Sequence, residues 1–413
     1  MAVRVLQPRR PWEGRRVVLG VTGGIAAYKS VQLARDLTRL GARVDVVMTA
    51  GAQRFVQPLS FKGVTGRGVH TDMFSGSGPA LHISLAAEAD AVVVAPATAN
   101  FLARAANGMA DDLLTTLLLA TRAPVVLCPA MNDRMYSHPM TQANLRHLSQ
   151  ELGYTVEGPA VGPLAVGEGE GHGRMIETGE ILEHVGRALG SDSAWQDREV
   201  LITAGPTREA LDPVRFLGNR SSGRMGFALA SAAWRRGARV TLVTGPTALP
   251  DPPGVQTIRV ESAEEMAQAV LDRHTSAEVL VFAAAVADYR PRNPKGRKVK
   301  RSRAGEELEL RLEPTLDIAG ATLEGRMPGS IALGFALETE DLKENAQRKL
   351  TEKGFHLIAG NPALEEGAGF EGSTNRVTIL DRDGGVEELP ILSKEEVAER
   401  LLDRVSALLP DSA

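Results

Sequence analysis

The chain has only one cysteine, Cys128, among its 413 residues. One cysteine excludes an intramolecular disulfide and suits a reducing compartment, so we expect a cytoplasmic protein. The sequence also lacks an apolar run long enough to cross a bilayer, and the basic residues 1–16 lack the apolar core of a signal peptide. A net charge of −4 gives no overall attraction to nucleic acid or to an anionic membrane, and we expect neither as a partner.

The two halves of the sequence contain similar segments in the same order. The segment "RLGARVDVVMTAGA" is echoed by "RRGARVTLVTGPTA", and "ADAVVVAPATAN" is echoed by "AEVLVFAAAVAD". Short apolar strands that alternate with amphipathic helices predict parallel sheets covered on both faces. Small polar residues after Gly190 mark a boundary between the halves. We therefore predict an α/β protein with two doubly wound, mostly parallel-sheet domains, residues 1–190 and 191–413.

The first strand-to-helix turn, in "VVLGVTGGIAAYK", contains Gly23 and Gly24. Free backbone N–H groups and the positive end of a helix favour an anion at such a turn. The turn lacks the dinucleotide-binding fingerprint because Thr22 stands where glycine is required. It is not a Walker A loop, since Tyr28 precedes Lys29 where glycine is required. The turn favours a phosphate, but not that of NAD or of a P-loop ATPase.

Three further segments belong to predicted strand ends, where ligands of open α/β sheets bind. The segment "LHISLAAEAD" holds His82, "VVVAPATAN" ends in small and hydroxyl residues, and "VVLCPAMN" ends in Asn132. His82 could be a base or a satisfied structural histidine. Asn132 could contact a ligand or only cap a helix. The residues alone leave both alternatives open.

The order and spacing of "GVTGGIAAYK", "APATAN", "PAMN" and "GRM" resemble the flavin-dependent decarboxylases of cysteine-type carboxylates. More specifically, they resemble the phosphopantothenoylcysteine decarboxylase half of the bifunctional coenzyme A biosynthesis family, over about residues 15–188. The resemblance implies a flavodoxin-like domain with FMN, which oxidises the thiol-bearing carbon so that CO₂ can leave. It implies that His82 acts as a base on the thiol and that Asn132 binds the carboxylate. The implied FMN-binding residues are Gly23, Gly24, Ile25, Thr49, Thr98, Ala130 and Met131.

One position departs from that family. Many members carry "LACG" before "GRM", with the cysteine supplying the proton for the final reduction. This chain has "LAVGEGEGHGRM", with Val166 at that place, and Cys128 does not align with it. Our hypothesis is that Glu168, Glu170 or His172 donates the proton; the alternative is that this segment is only a solvated acidic loop.

In the second half, "AGPTREALDPVRFLGNRSSGRMG" places glycines, hydroxyls and several arginines between a strand and a helix. Such a set suits a polyphosphate or an acyl phosphate. Asp288, in "AAAVADYRP", follows another predicted strand and could reach a nucleotide or its metal. The basic run "NPKGRKVKRSR" precedes a predicted acidic strand, "EELELRLE", and could close over phosphates or be a solvated surface.

The segments "ITAGPTRE", "DPVR", "NRSSGRMG", "AAVADYR", "DI" and "GFALET" resemble the phosphopantothenate–cysteine ligase half of the same family, over about residues 197–406. The resemblance implies a Rossmann-like domain that uses CTP and Mg²⁺ to form an acyl cytidylate, which the amine of cysteine then attacks. It assigns Asn219 to holding this intermediate, Arg215 to its turnover and Lys298 to its formation. The implied CTP-binding residues are Phe282, Ala283, Ala284, Asp288, Lys298, Leu316, Asp317, Ile318, Ala319, Phe335, Lys349 and Lys353.

The predicted function is thus a bifunctional enzyme of coenzyme A biosynthesis, with 4′-phosphopantothenate, cysteine and CTP as substrates. One alternative keeps the ligase and makes the first half an oxidative decarboxylase that stops at the enethiol. Another makes the first half a non-catalytic, flavin-binding assembly module. The resemblance further implies a homo-oligomer with trimeric flavin domains and dimeric ligase domains.

Overall fold

The structure is a computed structural model, and it describes residues 11–74, 80–164, 166–167, 169–190, 194–299, 308–338, 342–362, 372 and 374–410. The chain divides into two compact units, Met1–Gly190 and Ser191–Ala413. Within the described ranges, every helix is too short or too polar to cross a membrane.

The first unit is a parallel sheet with flanking helices. Its strands are β1 (Arg16–Val21), β2 (Arg43–Met48), β3 (Val69–His70), β4 (Ala91–Ala97), β5 (Val125–Pro129), β6 (Thr155–Val156), β7 (Ala160–Pro163) and β8 (Glu170–Arg174). Its helices are α1 (Ala27–Arg39), α2 (Pro58–Thr65), α3 (Leu81–Glu88), α4 (Ala99–Ala106), α5 (Leu113–Ala120), α6 (Asp133–Ser137), α7 (Pro139–Arg146) and α8 (Thr178–Leu189). Six strands pair in the order β3-β2-β1-β4-β5-β6, all parallel, and β7 and β8 form a separate antiparallel hairpin.

The second unit is built in the same way. Its strands are β9 (Glu199–Ala204), β10 (Glu209–Ala210), β11 (Phe216–Leu217), β12 (Arg239–Thr244), β13 (Gln256–Arg259), β14 (Val279–Phe282), β15 (Tyr289–Pro291), β16 (Leu312–Pro314), β17 (Ile331–Glu338), β18 (Leu357–Pro362), β19 (Thr374–Asn375), β20 (Thr378–Asp381), β21 (Val386–Glu388) and β22 (Leu392–Ser393). Its helices are α9 (Arg224–Arg235), α10 (Ala263–Leu271), α11 (Ile318–Ala321), α12 (Leu342–Glu352) and α13 (Lys394–Ser406). The main sheet has the order β13-β12-β9-β14-β17-β18-β20-β21, and only its last two strands are antiparallel.

The central strands are almost wholly apolar because both faces of each sheet are buried. In β1, Leu19 packs into one core and Val18 into the core on the opposite face. In β9, Ile202 and Leu201 divide between two cores in the same manner. The predicted fold class, α/β with two doubly wound, mostly parallel sheets, is confirmed.

In each sheet the first strand in chain order lies between the second and the fourth. The chain therefore leaves β1 toward one side of the sheet and returns to place β4 on the other side. The same reversal occurs between β9 and β14. At such a switch point the loops that follow the two strands diverge and leave a crevice at their carboxyl ends.

Two local expectations were wrong. His82 does not follow a strand; it lies in the first turn of α3, where Leu81 and Leu85 are buried at helical spacing. The described part of the acidic segment is a strand only at Leu312–Pro314, where it pairs with the three residues of β15.

Candidate functional site

The first cavity has a volume of about 860 Å³ and lies at the carboxyl ends of β1, β4 and β5. This is the switch point of the first sheet. The structure places around it all the residues that sequence analysis assigned to FMN: Gly23, Gly24, Ile25, Thr49, Thr98, Ala130 and Met131.

Hydroxyl groups join the loops at the base of this cavity. Thr22 Oγ1 donates to the carbonyl of Pro96 at 2.7 Å, and the backbone N–H of Thr98 donates to Thr22 Oγ1 at 3.1 Å. A Cβ on Gly23 would lie 2.9 Å from the Cα of Gly51, so glycine permits two loops to approach each other here. These contacts fix the loop that precedes α1.

Helix α1 begins at the rim of the first cavity. Its N-cap, Ala26, provides no side-chain hydrogen bond, and its first turn contains no acidic residue. The N–H groups of Ala27 and Lys29 donate to the carbonyls of Gly24 and Ala26, at 3.0 Å each, so it is the positive end of the helix that attracts an anionic group of a ligand.

Asn132 also lines the first cavity, and it caps α6 as well, because its Oδ1 accepts a hydrogen bond from the backbone N–H of Arg134 at 3.0 Å. The two alternatives left open by the sequence are therefore compatible. A capping bond through the oxygen leaves the amide NH₂ group to donate to a carboxylate.

The β7–β8 hairpin covers the loop that contains Asn132. The backbone N–H of Met131 donates to the carbonyl of Gly173 at 3.0 Å, and a Cβ on Gly173 would collide with the Met131 carbonyl. The His172 ring stacks on Tyr136, with the ring centroids 6.4 Å apart. The hairpin therefore forms one wall of the first cavity.

The histidine that the sequence pointed to lies elsewhere. His82 is not among the described residues that line the first cavity. Its Nδ1 is buried and has no hydrogen-bond partner in the described structure. The structure therefore does not bring His82 and Asn132 together around one cavity of a single chain.

Two of the three candidate proton donors, Glu170 and His172, lie on the hairpin. Val166 is fully exposed, and Glu170 and His172 are exposed on β8, whereas Glu168 lies outside the described residues. Cys128 is fully buried within β5, and burial raises the pKa of its thiol well above the usual range. Cys128 is therefore a protonated, enclosed thiol and does not replace the cysteine that Val166 displaces.

Sequence analysis missed two cations at the first cavity. Lys29 lines it and forms an ion pair with Glu177, with Nζ 3.2 Å from the carboxylate oxygen. Arg104 lines it and pairs with Asp112 at 2.9 Å. Lys29 lies within the quoted motif "AYK", so its helical position one turn after the glycines was the available signal.

The second cavity, about 610 Å³, lies at the carboxyl ends of β9, β14 and β17. It occupies the switch point of the second sheet, as the first cavity does in its own unit. The assigned residues that line it are Asn219, Phe282, Ala283, Ala284, Asp288, Leu316, Asp317, Ile318, Ala319, Phe335, Lys349 and Lys353.

Several contacts shape the second cavity. Lys353 forms an ion pair with Asp317, and Asp317 Oδ1 accepts a hydrogen bond from the backbone N–H of Gly320, which caps α11. Asn219 Nδ2 donates to the carbonyl of Val286 at 2.8 Å. These bonds fix Asn219, Asp317 and Lys353 at the wall of the second cavity.

Arg215 and Lys298 are not among the described residues that line the second cavity. Arg215 donates through Nε and Nη2 to Asp212, at 3.1 and 2.5 Å, and Lys298 is exposed in a neighbouring segment. A bond from Arg215 Nη2 to the carbonyl of Val299 joins Arg215 to the segment that contains Lys298.

Two buried polar residues of the second cavity carry no motif and were missed. Lys394 is 4% exposed, and burial, with the nearby Arg224, lowers its pKa. Asn361 Nδ2 donates to Asn375 Oδ1 at 2.5 Å. They come from distant parts of the chain, and local pattern gives no sign that they meet.

Comparison with known proteins gives these sites a context. Residues 195–409 match the family model "DNA/pantothenate metabolism flavoprotein C-terminal domain", and residues 6–190 match the family model "Flavoprotein". Two α/β units with these matches define a flavoprotein of the pantothenate-metabolism class.

Full-length relatives show to which family within this class the chain belongs. The chain is 44% identical over 391 residues to the coenzyme A biosynthesis bifunctional protein of Vibrio cholerae. The aligned region covers 94% of this chain and 97% of that relative. It is 44% identical over 399 residues to the protein of the same name in Bacillus subtilis, covering 95% and 97%. A solved C-terminal domain of such a protein is 40% identical with a TM-score of 0.45, covering 54% of this chain and 100% of that chain. The chain belongs to the family of coenzyme A biosynthesis bifunctional proteins, and the predicted resemblance is confirmed.

Proposed function

We propose that residues 191–413 join cysteine to 4′-phosphopantothenate with CTP, through an acyl cytidylate. Residues 1–190 then convert the resulting 4′-phosphopantothenoylcysteine to 4′-phosphopantetheine with FMN. One observation carries this proposal: in each unit, most of the residues assigned from the motifs surround a cavity at the switch point of a parallel sheet. Two separate cavities suit two separate reactions.

The first cavity fits a flavin mononucleotide. Its volume of about 860 Å³ lies in the range of cofactor sites, and Ile25 and Met131 offer apolar contacts to a flat ring. The uncapped start of α1 suits the phosphate group. When bound there, FMN would supply the hydride acceptor that makes the carboxylate of the substrate able to leave.

The residues of the first unit would orient the substrate. The amide NH₂ group of Asn132 would bind the substrate carboxylate until CO₂ leaves, and the β7–β8 hairpin would exclude water from it. His82 is half-buried and its Nδ1 is enclosed, so a proton taken from the substrate thiol would go to the other ring nitrogen, Nε2. Because His82 lies outside the first cavity, we include in the proposal a trimer of flavin domains in which another copy supplies it.

The second unit would perform two displacements. An oxygen of the phosphopantothenate carboxylate attacks the α-phosphorus of CTP, and the bond to pyrophosphate breaks. The amine of cysteine then attacks the acyl carbon, CMP leaves and the amine loses a proton. Lys349 and Lys353 would offset phosphate charge, with Mg²⁺ bound to the nucleotide, and Asn219 would hold the intermediate. Dimeric ligase domains and a cytoplasmic location complete the proposal.

A second candidate for the first unit is favoured by one observation. Val166 stands exposed where family members carry a cysteine, and Cys128 is buried, so the described residues present no thiol to protonate the product. The reaction would then stop at the enethiol, after oxidative decarboxylation.

The test is a single incubation. Purified protein receives phosphopantothenate, cysteine, CTP and Mg²⁺, and the products are weighed by mass spectrometry while flavin absorbance is recorded. We expect phosphopantothenoylcysteine and then phosphopantetheine, and a product that lacks two hydrogens identifies the second candidate. A colourless protein without decarboxylation contradicts the first assignment, and equal turnover with ATP contradicts the preference for CTP.

A further inference from the structure

One buried carboxylate connects the two ligase candidates that lie outside the second cavity. The side chain of Asp212 is completely buried. Its Oδ1 accepts the backbone N–H groups of Val214 and Arg215, at 2.9 and 3.0 Å. Its Oδ2 accepts Nε and Nη2 of Arg215, at 3.1 and 2.5 Å, and the backbone N–H of Val299, at 3.1 Å.

These donors keep Asp212 ionised. The guanidinium of Arg215, together with the backbone N–H groups, holds the pKa of Asp212 well below its usual range. Burying a charged carboxylate without hydrogen-bond donors costs free energy. Asp212 can be both buried and ionised because the groups bonded to its oxygens all donate hydrogen bonds.

Asp212 does more than stabilise its own turn. An aspartate that accepts the N–H groups two and three residues ahead is a common turn motif, and it explains the bonds to Val214 and Arg215. It does not explain the bond to Val299, which is 87 residues away in the sequence. That bond joins the turn to the segment that contains Lys298.

Other bonds reinforce this connection. Arg215 Nη2 donates to the carbonyl of Val299 at 2.9 Å, and the backbone N–H of Lys295 donates to the carbonyl of Leu211 at 2.9 Å. Asp212 and Arg215 therefore hold both the N–H and the carbonyl of Val299, the residue next to Lys298. Among the described residues, Arg215 uses only Nε and Nη2 in side-chain bonds, so Nη1 can reach a ligand.

We propose that Asp212 is the positioning residue of the ligase reaction: it fixes Arg215 and the backbone beside Lys298, so that both cations reach the nucleotide as one preset unit. The inference rests on the proposed ligase function. It assigns Asp212 no contact with substrate, because its side chain is enclosed.

The first test replaces Asp212 by Asn, which keeps the size but removes the charge and turns one acceptor into a donor. We expect the ligase kcat to fall on the order of 100-fold, as misplaced catalytic groups do, with little change in the KM for CTP. Asp212→Glu keeps the charge and should recover part of the rate.

A double variant distinguishes positioning from a structural role. If Asp212 acts through Arg215 and Lys298, Asp212→Asn should slow the Lys298→Ala variant by much less than it slows the wild type, because only the contribution through Arg215 remains to be lost. If Asp212 only stabilises the fold, the two losses multiply and thermal unfolding shifts, and this result overturns the inference. Decarboxylation of supplied phosphopantothenoylcysteine by the same preparations reports on the first unit.

Val299→Pro keeps the inference testable if Asp212→Asn does not fold. Proline at this position removes the backbone N–H of residue 299, which donates to Asp212, and leaves the carboxylate of Asp212 in place. We expect a similar loss of kcat, and a wild-type rate in this variant contradicts the inference. An inactive wild-type ligase would contradict the proposed function, whereas an active wild type with unaffected variants contradicts only the role of Asp212.

Discussion

The guanidinium of Arg326 lies 5.6 Å from the centroid of the Phe282 ring, behind the wall of the second cavity. Arg326 Nη2 donates to the carbonyl of Ala319 at 2.9 Å, and Nη1 donates to the carbonyl of Gly354 at 3.0 Å. One planar group therefore fixes three parts of the cavity wall: the end of β14, helix α11 and the turn before β18. The ring of Phe355, which follows Gly354, packs against Phe282 with centroids 5.6 Å apart.

Replacing Arg326 should loosen the nucleotide pocket. We expect Arg326→Met to raise the KM for CTP several-fold and to reduce discrimination against ATP, because Ala319 and Phe355 line the cavity. Arg326→Lys retains the charge but not the planar fork and should lie between wild type and Arg326→Met. Steady-state kinetics with both nucleotides measures the effect, with Arg348→Met, an exposed arginine of α12, as the matched control. Unchanged KM values in Arg326→Met would show that the wall keeps its shape without the guanidinium.

The Gly23 turn should not accept a side chain. A Cβ would lie 2.9 Å from backbone atoms of Gly51, so Gly23→Ala must separate two loops of the first cavity. We expect the purified variant to lose most of its bound flavin absorbance. Gly63→Ala, in α2 with nothing within 4 Å of the added Cβ, should retain it. Equal flavin content in both variants would mean that this close approach is not needed for binding.

Restoring a thiol at Val166 should change the product of the first unit. We expect Val166→Cys to increase the share of saturated phosphopantetheine over enethiol, as measured by mass spectrometry, because an exposed thiol there can donate a proton. Cys128→Ala should leave that share unchanged, since the thiol is enclosed. Glu170→Gln and His172→Gln test the alternative donors, and a lower share in one of them identifies the native donor. A wild type that releases only saturated product would show that a donor is already in place.

Glu157 and His184 should make opposite contributions to the pH dependence of the stability of the first unit. Burial, with the nearby Glu180, raises the pKa of Glu157 to about 7. Burial, with the nearby Arg187, lowers the pKa of His184 to about 4, and its Nδ1 lies 3.2 Å from Glu157 Oε1. Between pH 4.5 and 7 the unfolded Glu157 has lost a proton that the folded carboxyl keeps, so its contribution to stability falls as pH rises. His184 contributes the opposite slope between about pH 4 and 6.5.

Glu157→Gln isolates the carboxyl contribution. Relative to wild type, the variant should gain on the order of 1–3 kcal/mol of stability between pH 4.5 and 8. Hydrogen exchange of the β5 amides, compared between the two proteins at each pH, measures this difference. Glu151→Gln, at an exposed site, should track wild type throughout. A constant difference between Glu157→Gln and wild type across the range would contradict the raised pKa.

The central architecture could be predicted because its signal is local. Strands such as β1 are short and apolar because both faces of the sheet are buried. Glycine-containing turns, such as that of Gly23 and Gly24, mark where these strands end. Since parallel strands end at the same edge of a sheet, residues as distant as Thr22 and Thr98 could be expected to meet.

What could not be predicted depends on contacts between distant segments that share no motif. The bond from Val299 to Asp212 and the position of Arg326 behind the cavity wall are examples. His82 was placed wrongly because an apolar segment of eight residues, such as that of α3, suits a strand end and a short helix equally.

The enclosed position of Cys128 makes this chain convenient for site-specific chemistry. A thiol reagent at neutral pH should find no accessible sulfur in the folded wild type, because the only cysteine is buried and protonated. A cysteine introduced on the β7–β8 hairpin would then be the sole target for a fluorophore or spin label. The surroundings of that wall could then be monitored during turnover without first removing a native cysteine.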